Sequence, residues 1–525
     1  MFDSSSSPSR LQLSCLLVVI LAVAAGCDQQ LDIMNQPFAC DEPSDCASGY
    51  VCDEAQNLCV EIGTRLDTGP PLDSSTDASD TTDTRDAADV SDASDATDTS
   101  DVLDASDATD TTDAADAADT TDTSDTDDAD SGGGEIVPEV IIAASSSATC
   151  AVVPSGQAFC WGANDVGTLG LGFTQNLPSE DPVGEVSMTN LGSATFVAEP
   201  GAIDGGGSTM CAIASDGNVY CWGGNGELLG SPQAVVDEPT PIANPTGQRL
   251  VQVSVGQHHA CAVSDSGDAY CWGDHTYGQL GSFGATEDVA ELQAVATQSL
   301  DPGEVFVEVA CGDRHTCAST SQNRVFCWGD NSNDQLAVPD VASTTSVPRV
   351  IDSPVWGRTA TLTQLDASMK ASCAVVDATP VSTHTIYCWG RNTSGKLGAL
   401  DPGHVLTEPL EVEPAANAAN VEFRRVSTNF NHTCAVADDG QIYCWGRKEH
   451  KLGTVFPSIS GSDIPHPDRP IDGGRQYLDV AVGTNHSCGV SVANEVFCWG
   501  HNENYRLGVS GPDTPTPQQV VFPSR

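Results

Sequence analysis

Cysteine, histidine and tryptophan are the residues of this 525-residue chain whose spacing points to chemistry, and of the 21 cysteines most recur in a fixed pattern. Six pairs stand ten residues apart: Cys150/Cys160, Cys211/Cys221, Cys261/Cys271, Cys317/Cys327, Cys434/Cys444 and Cys488/Cys498. A three-residue hairpin loop would set such a pair directly opposite, as the fourth pair out from the loop. That pair is non-hydrogen-bonded, with Cα atoms about 4.5 Å apart, inside the range a disulfide tolerates. Loops of this kind hold their third residue in the left-handed region, normally Gly or Asn. Gly156, Gly217, Gly267, Asn323, Gly440 and Asn494 occupy that place. The spacing therefore predicts six cystine hairpins, with reduced thiols packed as small hydrophobes as the competing reading.

Cys311 has no partner in this scheme and occupies the place that Val255 holds in another repeat, which makes it a core residue. A metal site with His315 and Cys317 is the alternative. His259, His315, His432 and His486 each precede a hairpin cysteine by two. A residue repeated at one position is placed by the fold, so these histidines are expected to make structural hydrogen bonds rather than converge on one site. The Trp of each Cys-Trp-Gly is likewise expected in the core. No GxSxG elbow, HExxH, phosphate loop or EF-hand loop occurs in the repetitive part, so no catalytic residue, cofactor or metal site is assigned.

The elements that position these residues are repeats. Cys-Trp recurs at Cys160, Cys221, Cys271, Cys327, Cys388, Cys444 and Cys498, at intervals of 61, 50, 56, 61, 56 and 54 residues. Seven such units fill residues 135–525. Each reads as about four short strands separated by turn residues, which is one blade of a β-propeller. The sequences WGANDVGTLG from Trp161, WGDHTYGQLG from Trp272 and WGRNTSGKLG from Trp389 resemble the regulator of chromosome condensation repeat. That resemblance implies an all-β, seven-bladed β-propeller. By analogy with the other repeats it also implies a disulfide between Cys373 and Cys388, which are fifteen apart.

Ahead of the repeats the chain changes character three times. Residues 1–26 read as a signal peptide, apolar from Leu11 to Ala25, and the following AAGC resembles a lipoprotein processing site with Cys27 as the acylated residue. Within 27–62, Cys40, Cys46, Cys52 and Cys59 fall in a stretch with almost no apolar residues, expected to be held by disulfides of undecided pairing or, alternatively, by zinc. Residues 63–134 carry Asp at every third position from Asp77 to Asp125. Such a tract cannot bury apolar surface and is expected to be a disordered, solvated linker, with diffuse counter-ion attraction rather than a calcium loop.

The whole chain has 74 acidic against 20 basic residues. An acidic surface excludes nucleic acid as the natural partner, and the cysteine density points to an oxidising compartment. The sequence thus suggests a monomeric, non-enzymatic scaffold for a protein or glycan, exported and lipid-anchored in a cell envelope. Trp356, Phe173, Phe430 and Tyr505, aromatic residues outside the repeat pattern, are its candidate binding anchors in interblade loops. Three other readings stay open: an inhibitor, since a secreted β-lactamase inhibitory protein has a similar propeller; a hydrolase with its site on poorly matching loops such as 173–209 or 399–430; and, least supported for an exported domain, nucleotide exchange like that of the family's eukaryotic namesake.

Overall fold

The computed structural model describes residues 50–53, 58–61 and 137–523, apart from the short stretches 226–227, 230–234, 283–288, 354–359, 379–382, 399–401, 416–417, 419–420, 449–450, 455–462, 465 and 472. Cys27, Cys40 and Cys46 lie outside the described residues. In the N-terminal unit, Tyr50–Asp53 pairs antiparallel with Leu58–Glu61, which sets Cys52 opposite Cys59 along the backbone.

From Ile141 to Val520 the chain forms seven antiparallel sheets in sequence order. Among the described residues six have four strands and the sixth has three, with bridges from Tyr443 to Pro470 and from Gly446 to Ile464 beside its third strand. These are the seven blades of a β-propeller, numbered here from the N-terminal end. Their inner strands are Ile141–Ala144, Ile203–Gly206, Leu250–Val255, Phe306–Cys311, Ala360–Ser368, Phe423–Thr428 and Tyr477–Val482, and together they line one central bore of about 500 Å³. Blade 7 meets blade 1 directly, through Thr484 N–H to the Ser146 carbonyl at 3.2 Å.

The core lies between blades. Cys-Trp-Gly ends the third strand of every blade, and all seven tryptophans of that motif are fully buried. A Trp indole N–H reaches back to the loop of the preceding blade: Trp222 to the Thr168 carbonyl at 2.9 Å, Trp328 to Gln279 at 2.8 Å, Trp389 to Gln335 and Trp499 to Lys451, both at 2.9 Å. In these four blades the repeated residue fills a seam and satisfies its indole donor there, whereas the buried indole N–H groups of Trp161, Trp272 and Trp445 have no hydrogen-bond partner among the described residues.

Candidate functional site: hairpins, seams, bore and loop face

The cystine hairpins form as the spacing predicts. In blade 1, Val153 and Gln157 close the loop, and Gly156 adopts φ +77°. The other five predicted loop residues also have positive φ, from 57° at Asn323 to 82° at Gly267. All six ten-spaced pairs are bonded, with Cα atoms 4.0–4.1 Å apart. The fifth pair, Cys373–Cys388, is bonded too at 4.1 Å. Its strands, Ala371–Ala378 and Thr383–Arg391, run further beyond the cysteines than in any other blade. Cys311 is free and buried. Burial pushes its thiol far above the usual range, so it is not a reactive thiolate. It lies near His259 and Cys261, but Cys261 is committed to Cys271, which removes that group as a metal centre.

The four histidines are seam residues. Nε2 of His259 lies 2.7 Å from the Thr316 hydroxyl, that of His315 2.9 Å from Ser372, that of His432 2.9 Å from Ser487, and that of His486 2.7 Å from Thr149. Each bond crosses from one blade to the next. Burial pushes His259, His315 and His486 down to about 3 and His432 well below the ordinary imidazole range, so the links are uncharged.

The bore holds polar residues that no motif announces. Opposite the first cysteine of each hairpin, the inner strands place Ala143, Asp204, Ser254, Ala310, Asp366, Ser427 and Ala481 in one ring. Two residues earlier stand Gln252, Glu308, Gln364, Arg425 and Asp479, each just after a register shift in its strand. Such a bulge bends the strand and re-aims the next side chain.

The reason for polar residues here is elementary: an inner strand is a sheet edge, and its outward N–H groups need acceptors. The preceding blade supplies them. The Asp204 carboxylate accepts from Val255 N–H at 2.7 Å, Ser254 Oγ from Cys311 N–H at 3.0 Å, Glu308 from Leu365 N–H at 2.8 Å, and Ser427 Oγ from Val482 N–H at 3.1 Å. The side-chain amides of Gln252 and Gln364 each accept from the N–H and donate to the carbonyl of one residue, Val309 and Val426 respectively. Desolvation raises Asp204 and Asp479 to about 6, Glu308 to about 8 and Asp366 well above the carboxylate range, while the guanidinium of Arg425 opposes the shifts of Glu308 and Asp479. The bore is therefore a set of interblade clamps, several of them built on carboxyl groups whose pKa burial raises.

Three predicted anchors gather on one end of the propeller. In an antiparallel four-stranded blade, the first turn and the third loop share the end opposite the second turn. Phe430 lies in the first turn of blade 6, and Phe173 and Tyr505 lie in the third loops of blades 1 and 7. These are loops within blades, not between them as expected, so the interblade placement is corrected. The end they share is the one away from the cystine loops, and blades 6, 7 and 1 are consecutive around the ring. Phe430 and Phe173 are 42% and 39% exposed, and the two third loops touch through Asn176 Nδ2 to Asn504 Oδ1 at 3.4 Å. Trp356 lies outside the described residues.

Tyr505 carries a further mark. Its place in the repeat is held in blades 1, 3 and 5 by Gly167, Gly278 and Gly395, at φ +75° to +81°. Tyr505 adopts φ +58° there, and Asn504 before it φ +55°. The fold imposes this backbone at that place, as it does on Asp334 of blade 4 at φ +52°, and an aromatic residue held there against its own preference carries a cost of order 1–3 kcal/mol. Sequence reading missed the Tyr277–Arg314 pair at the same end: the guanidinium lies 4.6 Å from the ring centroid and donates to the phenol oxygen at 2.8 Å.

The regulator of chromosome condensation (RCC1) repeat pattern matches residues 202–227, 250–279, 306–335, 423–450 and 478–506 in one form, and 216–263 and 266–319 in another. The chain carries regulator of chromosome condensation repeats. The ultraviolet-B receptor UVR8 of Arabidopsis thaliana is 28% identical over 70% of this RCC1-repeat chain and 78% of that protein. A secretion-regulating guanine nucleotide exchange factor of Bos taurus is 24% identical over 68% and 76%. The E3 ubiquitin-protein ligase HERC2 of Homo sapiens is 27% identical over 58% of this chain, but the match spans 6% of that much longer protein. Among solved structures, Prp20p of Saccharomyces cerevisiae superposes with a TM-score of 0.57 at 21% identity, covering 69% of this chain and 85% of that one. Human WBSCR16 gives 0.56 at 19% identity, covering 69% and 94%. These structures share the fold; residue roles are not carried over from them.

Proposed function

We propose that this RCC1-repeat chain is a non-enzymatic scaffold of the cell envelope, exported and lipid-anchored through Cys27. In this reading it captures a protein or glycan on the loop end of blades 6, 7 and 1. The observation that carries the binding face is Tyr505: an aromatic side chain kept at a glycine position, beside exposed Phe430 and Phe173, supports selection for contact rather than for folding. The Prp20p structure is described with binding to Gsp1p and histones, which supports a protein as the partner class. The strongly acidic chain disfavours DNA, whose recruitment relies on Lys and Arg displacing condensed cations.

The test is cross-linking capture on intact cells, comparing the native protein with Tyr505→Gly, Phe430→Ala and Phe173→Ala. The face is supported if each variant loses the partner while keeping its melting temperature, Tyr505→Gly with an equal or higher one. Capture that survives all three substitutions sinks it. Cys27→Ser should release the protein from membranes with its propeller intact; wild-type protein recovered wholly soluble, without lipid, sinks the anchor.

A further inference from the structure

The fifth and sixth blades meet at their outer edge in a way the other seams do not. In four blades the residue after the second strand donates its N–H to the carbonyl of the residue just before the inner strand. The pairs are Asp265/Arg249, Ser321/Val305, Asp438/Glu422 and Val492/Gln476. In blade 3 the two positions bear opposite charges, the arrangement expected of neighbours. In blade 6 they bear two carboxylates, which repel when side by side.

A third group comes from blade 5. Cys388 and Ile386 of its long hairpin pack in one cluster with Phe423, Ala435, Ala437 and Tyr443 of blade 6. Side chains on a strand return to the same face every second residue, so His384 is the next in that row. It stands over Glu422 and Asp438, which continue the blade 6 ladder one step beyond Phe423 and Ala437. His384 Nδ1 lies 3.0 Å from Asp438 Oδ2, and one ligand atom of each of His384, Glu422 and Asp438 falls within 4.8 Å of the other two.

Only the fifth repeat's departure from the pattern reaches this far. Its cysteines are fifteen apart rather than ten, and its ladder continues past them through Asp377 opposite His384. In blade 1 the strand pairing ends two steps past the cysteines, at Val152 and Ala158.

We propose that His384, Glu422 and Asp438 bind one divalent transition-metal ion, of the zinc type, that bridges blades 5 and 6. One imidazole nitrogen and two carboxylate oxygens are the donor set such ions accept, and a 2+ charge balances the two carboxylates. The 3.0 Å edge is close to the ligand–ligand separation of about 3.3 Å that follows from tetrahedral bonds of about 2.0 Å. His384 and Asp438 keep 26% and 37% of their side-chain surface exposed, so an ion enters without the blades parting. The remaining coordination positions face solvent and are open to water or to a donor from a partner.

The experiment uses the full-length, disulfide-intact protein, stripped with chelator and titrated with Co²⁺ while its visible d–d absorption is followed. Zn²⁺ is then added in competition. The expected result is one intense-band equivalent per chain, displaced by Zn²⁺. Carboxylates alone, as in the Asp-rich tract, give only the weak bands of an octahedral ion. Affinity should fall by more than about tenfold in His384→Ala and in the conservative Glu422→Gln and Asp438→Asn. Zn²⁺ should raise the melting temperature of the wild type and not of His384→Ala. A wild type without the band, which would leave His384 and Asp438 as a plain ion pair, overturns the site. So does a band at one equivalent that persists in all three variants.

Discussion

Two kinds of seam hold the ring together. Between blades 3 and 4, 4 and 5, 6 and 7, and 7 and 1, a buried neutral imidazole meets a hydroxyl of the next blade. Between blades 5 and 6 the histidine position is Ala371, and the buried amine of Lys396 serves instead, donating to Ser368 Oγ at 2.7 Å and to the Asn429 carbonyl at 3.1 Å. The two seams around blade 2 have neither device, Met210 and Ala260 standing where the hydroxyl would be. The repeat therefore prescribes burial and shape at every seam but leaves the polar chemistry free to vary. The seam that departs furthest, with its lysine and its long hairpin, is the one that assembles His384, Glu422 and Asp438.

The largest expected effect removes what both kinds of seam share. Replacing both cysteines of blade 6 (Cys434→Ser with Cys444→Ser), or both of blade 5 (Cys373→Ser with Cys388→Ser), should cost about 2–4 kcal/mol each in denaturant unfolding, slightly more for the longer loop. A blade 5 pair that costs nothing would mean its hairpin is held by something else.

The seams themselves come next. His315→Ala leaves the Ser372 hydroxyl buried without its partner and should destabilise by about 1–3 kcal/mol. Lys396→Met should behave differently. Burial lowers this amine from 10.5 to about 7, opposed by Asp366, so the unfolded chain holds its proton more tightly. Stability then rises with pH between about 7 and 10.5. Lys396→Met should flatten that rise, and His315→Ala should leave it. Unfolding midpoints at pH 7 and 10 separate the two.

The bore has the opposite sign to the imidazoles. Glu308 is raised from 4.5 to about 8, so its contribution is present at low pH and is lost as the pH rises from about 4.5 through 8. His315, depressed from 6.5 to about 3, loses stability as the pH falls through that range. Glu308→Gln should therefore stabilise the propeller at pH 8 more than at pH 4. The smallest effect is expected at the hairpin tips. Asn323→Gly should shift the unfolding midpoint by a few tenths of a kcal/mol, since both residues tolerate a positive φ. Gly156→Ala should cost more, because its Cβ would come 2.6 Å from that of Thr195.

What could be read in the sequence was local. The cystine hairpins depend on spacing and one left-handed residue, and six of them followed from ten-residue intervals alone; the seventh needed the analogy because its loop is longer. The seam histidines were assigned a structural role correctly, yet their partners Thr316, Ser372, Ser487 and Thr149 lie 57, 57, 55 and 337 residues away. No periodicity names a partner at that distance. The clamps of the bore were legible only as polar interruptions in apolar strands, such as Gln252 in VQVSV and Glu308 in VEVAC, and their meaning required the neighbouring blade. Tyr505 was found as a non-repeated aromatic residue, but its backbone strain was not visible without the structure. His384 was not singled out at all, because its two companions belong to another repeat.

Each of the seven cystines of the propeller closes a loop inside a single blade, and the join of blade 7 to blade 1 is made by contacts such as Asn494 Nδ2 to Glu139 Oε2 at 3.2 Å. Under tension between the two ends of the domain, that join is the first to bear load, and it has no covalent bond to share it. The ring would open there and release blades one after another. Each released blade would pay out less chain than its length allows, because its cystine shortens the path that force can stretch.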